Sequence, residues 1–107
     1  MIYENFLATF TDYKPITLYW QKLSIAEDYG VAEVKTVFYS IFEEAKTDYK
    51  WLTELVMVTN HKCWQHAEIT GNSTLYGLYN EFYQKASKYA YSHLKGKEFD
   101  YFFQVTD

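Results

Sequence analysis

The stretch His61-Lys62-Cys63-Trp64-Gln65-His66 sets the chain's one cysteine between two of its three histidines. These residue types ligate zinc and carry acid-base or nucleophilic chemistry. Spacing decides among those uses. On an α-helix each residue turns by about 100°, so His61 and Cys63 diverge by roughly 160° and only Cys63 and His66 share a face. Two ligands fill half of a tetrahedral shell. His93 is the one other histidine and there is no second cysteine, so carboxylates would have to complete the set. Cys63 also falls on an apolar stripe, where a thiol packs as a small hydrophobe, with His66 at the stripe's edge. The expectation is no metal site and no cofactor.

Other chemistry is no better supported. The chain has no glycine-rich phosphate loop, no paired-cysteine motif, no serine in an elbow context and no HExxH. Glu54 and His61 share the polar strip of one helix, but seven residues place them about 10 Å apart, too far for a direct acid-base hydrogen bond. A solvated strip is expected; if Glu54 is instead enclosed, it needs a partner from Lys50, His61 or a tyrosine hydroxyl. An enzyme built on His61, Cys63, His66 and Glu54 would require those side chains to converge in one pocket. No catalytic residue is assigned, and a non-enzymatic protein is expected.

The elements that carry these residues read as helices. A length of 107 residues suits a single domain spanning 1–107, with a core that needs no disulfide. Tyr3, Phe6, Leu7 and Phe10 mark a short first helix, and Ile16, Tyr19, Trp20 and Leu23 repeat its spacing behind Pro15. Ser24 to Glu27 has the form of a capping box, predicting a further short turn that ends at a bend near Gly30. Val34, Val37, Phe38, Ile41 and Ala45 give the next helix its apolar face, with Glu33, Thr36, Ser40 and Glu43 toward water. With Asp48 as cap, a helix follows in which Leu52, Leu55, Val56, Thr59, Cys63 and Ala67 share a face. Its polar residues Lys50, Glu54, His61 and Gln65 are confined to a strip, which puts it at the centre of the fold. A loop at Thr70 to Ser73 leads to a long helix through Leu75, Leu78, Tyr79, Phe82, Ala86, Tyr89 and Ala90, closed by Gly96. Phe99, Phe102 and Phe103 predict a short terminal helix covering the bundle. The fold class expected is all-α, a single-domain helical bundle of three longer helices and two or three short ones.

Composition narrows the partners. Ten lysines face fourteen acids, without arginine, for a net charge of -4. Arginine is the residue that forks onto phosphates and guanine edges, and a net negative chain repels a polyanion, so direct nucleic-acid binding is not expected. No stretch resembles a signal peptide or a membrane span, and the lone cysteine fits a reducing compartment, so a cytoplasmic location is expected. Twelve tyrosines exceed what one small core needs, and tyrosine serves protein-binding surfaces at low entropy cost. Tyr76, Tyr83 and Leu94 form a second stripe on the last long helix, while Tyr39 lies on the polar side of its own helix near the acidic pair Glu43 and Glu44. Tyr39, Glu43, Glu44, Tyr76 and Tyr83 are therefore the candidate binding residues. A protein partner with a basic surface would suit the acid-rich first half, with Glu27, Asp28, Glu33, Glu43, Glu44 and Asp48 entering a basic groove.

The blocks "LSIAEDYGVAEVKTVFYSIFEEAK", "DYKWLTELVMVTNHKCW" and "LKGKEFDYFFQVTD" resemble a group of short uncharacterised proteins carried by phages and mobile elements of Firmicutes bacteria. Blocks in that group read like "YKxLTELVMVLNxKxW", with an aliphatic residue where this chain has Cys63. The resemblance covers roughly residues 20 to 107 and carries over no functional residue. It implies a setting in which small acidic proteins bind a host or phage protein, including components of defence systems. The function expected is thus a non-enzymatic protein-protein interaction module that inhibits a host protein. A self-associating structural protein, with the second tyrosine stripe as a homodimer face, is the alternative; a small metal-dependent enzyme is the third reading.

Overall fold

The computed structural model describes residues 14–106. The helix expected around Tyr3 to Phe10 lies outside the described residues. Within them the chain forms five α-helices: α1 (Lys14–Tyr29), α2 (Val31–Ala45), α3 (Tyr49–Gln65), α4 (Ser73–His93) and α5 (Lys97–Thr106). A single π-helical turn, His66–Thr70, extends α3. No strand occurs among the described residues, and the architecture is the expected all-α bundle. No helix among them is long and apolar enough to cross a membrane.

The element boundaries follow from local chemistry. Gly30 has φ 125° and ψ -179°, a conformation that side chains rarely tolerate, and it turns the chain between α1 and α2. Asp48 sits in extended backbone, and its Oδ1 accepts from the backbone N–H groups of Lys50 at 3.0 Å and Trp51 at 3.3 Å. Asn72 does the same for Leu75 at 3.0 Å at the start of α4. Replacing Asp48 by alanine should cost about 1 kcal/mol, read as a lower urea midpoint at about pH 5, where the nearby Glu54 is protonated in either protein; an unchanged midpoint would show that the cap contributes nothing.

Two expectations are corrected. Ser24 to Glu27 is no helix start: α1 runs unbroken through it, and Ser24 Oγ donates to the Trp20 carbonyl one turn back at 3.0 Å. The two short helical pieces expected there are one helix of 16 residues. A serine hydroxyl can bond back along a helix as readily as it can cap one, and only its neighbours decide which. Ala67, expected on the apolar face of α3, is exposed, whereas His66 beside it is buried.

The central place expected for α3 is observed: it packs against α1, α2, α4 and α5. The core between α2 and α4 is built on Phe38 and Phe82, whose rings stack at 4.0 Å and 2°. The Phe42–Tyr89 contact at 5.6 Å lies further along both helices, one turn beyond Phe38 and two beyond Phe82, so α2 and α4 run in the same direction. The terminal helix α5 folds back as expected and is anchored by Phe102. Phe103, grouped with it on the sequence, is exposed.

Candidate functional site

The densest chemistry in the molecule is where α1 crosses the end of α3. Lys62 has 0% exposure, and burying a charge requires that it be paired and hydrogen-bonded. It is: Nζ lies 3.1 Å from Glu27 Oε2, donates to Ser24 Oγ at 2.8 Å and stands 4.6 Å above the Trp20 ring. An ammonium has three N–H directions, and a carboxylate, a hydroxyl and a ring face take them up. Trp20, Ser24 and Glu27 all belong to α1, at spacings of four and three that place them on one side of that helix.

Glu27 is the hub. Its Oε2 also accepts from the Tyr79 hydroxyl at 2.5 Å and from His66 Nε2 at 3.1 Å. His66 Nδ1 lies 2.7 Å from the Thr70 hydroxyl, and that hydroxyl accepts from the Asn72 N–H at 3.3 Å. With the ring hydrogen on Nε2, the Thr70 O–H donates to Nδ1 and every partner in the chain is matched. The His66 and Tyr79 rings stack at 5.5 Å and 5°. Burial by itself would raise the Glu27 carboxyl, but the donors His66, Tyr79 and Lys62 outweigh it and hold the group below its ordinary value. Burial lowers Lys62, with Glu27 acting against it. The Tyr79 hydroxyl is pushed far up by burial and by the Glu27 charge. The cluster thus ties α1 to the α3–α4 hairpin through ionised and polar groups, where the rest of the contact is apolar.

Glu27 was expected among the surface acids that meet a basic partner; it is instead committed to the interior. Glu43 pairs with Lys46 at 2.9 Å and Asp48 caps α3, which leaves Asp28, Glu33 and Glu44 of that set as exposed acids without an internal task of this kind. Lys62 went unnoticed in the sequence. A signal was present, since Leu55, Thr59, Lys62 and His66 continue one buried face at spacings of three and four.

The remaining chemistry-bearing residues of α3 diverge. Cys63 is buried and points its thiol at the Tyr76 carbonyl, 3.6 Å away, and burial pushes the thiol up to about 11. His66 faces Glu27 instead. Burial lowers the His61 imidazole. Glu54 overturns the expectation of a solvated strip: it is 3% exposed, and its Oε2 has no hydrogen-bond partner among the described residues. Burial first, and then the Asp48 carboxylate, push it up to about 8, against a weaker pull from Lys50. No three His, Cys, Asp or Glu side chains among the described residues converge as ligands for an ion.

The five candidate binding residues are shared among three surface depressions. Tyr39 and Glu43 line a groove of about 470 Å³ between α2 and α4. Glu44, one residue and about 100° further round α2, opens instead onto a depression of about 220 Å³ with Leu18, Lys22 and Trp51. Tyr76 and Tyr83 line a groove of about 300 Å³ between α3 and α4, with Cys63, Trp64, Asn60 and Asn80. Trp64 is 51% exposed and Tyr76 43%. No sequence signal marks Trp64 as part of this face. No family model matches the chain, and comparisons with curated proteins and with solved structures find no match.

Proposed function

We propose that the chain is a non-enzymatic helical module that binds a protein partner through the α3–α4 face, in the phage or mobile-element setting implied by the resemblance, with inhibition of a host protein as its effect. One observation carries the reading. Trp64 and Tyr76 stand half-exposed on opposite walls of a groove floored by Cys63 and edged by Asn60, Asn80 and Glu68. Large amphipathic rings beside amide groups, around a concave apolar floor, have the composition of an interface hot spot. The interior polar cluster contributes rigidity by fixing the α3–α4 hairpin against α1, so that both walls are held before a partner arrives.

Affinity capture from a Firmicutes host lysate tests this with wild-type and Trp64→Ala protein side by side, at low and high salt. A specific protein held by the wild type at both salt concentrations and weakened at least about ten-fold by Trp64→Ala is the expected result. Equal capture by both proteins would sink the assignment of this face. Light scattering on the same two samples separates the self-associating alternative, which requires a wild-type dimer that Trp64→Ala dissociates.

A further inference from the structure

We propose that the groove between α2 and α4 is a second docking site, taking a short acidic peptide segment that carries an apolar anchor; this rests on the protein-binding reading but on a different face. Three aromatic rings, Tyr39, Phe42 and Tyr89, form its apolar part, and three ammonium groups, Lys46, Lys85 and Lys88, surround them. Among the described residues Glu43 is the one carboxylate of the lining, and it is paired with Lys46. Lys85 donates to the Tyr39 hydroxyl at 2.9 Å and lies 5.3 Å from the centre of that ring. Lys46 hangs 4.8 Å from the Phe42 centroid and 5.4 Å from that of Tyr89. Ring faces attract an ammonium but do not neutralise it. Glu81, one turn before Lys85 on α4, is the further acid that acts on this edge.

The groove is therefore an island of positive charge on a chain of net charge -4, and complementarity selects an acidic occupant. Its length selects a short one. Tyr39 to Lys46, the residue that closes α2, and Lys85 to Ser92 on α4 are each seven residue steps apart, about 10 Å of helix, which matches about three residues of extended chain. The apolar floor has a use only if the occupant brings a side chain to bury. Lysine presents a point charge without arginine's fork, and the remaining acidic surface disfavours a long polyanion, which sets a peptide carboxylate ahead of nucleic acid.

Fluorescence anisotropy tests the site with a dye-labelled synthetic peptide of glutamates flanking a central Leu-Phe pair, against the same peptide with lysines for glutamates. At about 50 mM salt the acidic peptide should bind at least about ten-fold more tightly, and Lys85→Gln/Lys88→Gln should remove about that factor. Trp64→Ala should leave this binding unchanged, so failure here is distinguishable from failure of the α3–α4 face. Absence of binding, equal binding of both peptides, indifference to the double substitution, or full displacement by ATP at comparable concentration would each overturn the proposal, the last by exposing a general anion site.

Discussion

Lys62→Ala should lower the unfolding free energy by about 3 to 5 kcal/mol, the cost of leaving a buried carboxylate without its cation. The substitution removes the ammonium that reaches Glu27 and Ser24 and opens space beneath the Trp20 ring. Glu27 would keep only the Tyr79 and His66 donors. Lys62→Met fills the volume and should cost less, and Lys62→Met combined with Glu27→Gln should recover most of the loss, because a buried ion pair exchanged for neutral groups is often close to neutral. Urea unfolding of the three variants measures this; a loss under about 1 kcal/mol for Lys62→Ala would mean that the cluster holds nothing together. The pH dependence follows from the same carboxyl. Since Glu27 is held below its ordinary value in the folded state, its contribution is complete above the unfolded value and disappears as pH falls through the lower, folded one. Acid should therefore bring the wild type toward the stability of the Lys62→Ala variant.

Glu54→Gln should act in the opposite direction and at the opposite end of the pH scale. The folded protein holds Glu54 protonated up to about 8, whereas an unfolded glutamate ionises near 4.3. Between those values the folded state binds the extra proton, so stability from this group declines as pH rises through the window and levels off above it. Glutamine removes the ionisation. The variant should match the wild type near about pH 5 and exceed it by about 1 to 3 kcal/mol near about pH 8.5, the cost of an ionised group buried without a partner. Urea midpoints across that range would show the two curves separating; parallel curves would mean that the carboxyl is reached by water. Tyr101 of α5 is raised by burial and then by Glu54, so the charge that Glu54 acquires at high pH acts on α5.

The helices were legible wherever one stripe of apolar residues met one set of breakers. Val34, Phe38, Ile41 and Ala45 are buried as their spacing requires, and Asp48 caps α3 as its type predicts. Ser24 misled because a hydroxyl followed by a glutamate three residues later has the same pattern whether it caps a helix or lies inside one. Glu27 misled because charge was taken to mean exposure, and that inference ignores the counter-charge of Lys62, 35 residues away in the chain. The candidate binding residues were found one by one, but which of them share a groove was not legible, since Glu43 and Glu44 are neighbours in sequence and face different depressions.

By itself the sequence determined the helical class, the central place of α3 and the divergence of His61 from Cys63, because these follow from the period of the helix and from local turn chemistry. Tertiary structure alone decided that Lys62, Glu27, His66 and Tyr79 meet, that Glu54 is sealed in, and that lysines encircle an aromatic groove on an acidic chain. Those outcomes depend on how one helix is rotated against another. That rotation is set by the packing of the whole core and not by any local stretch.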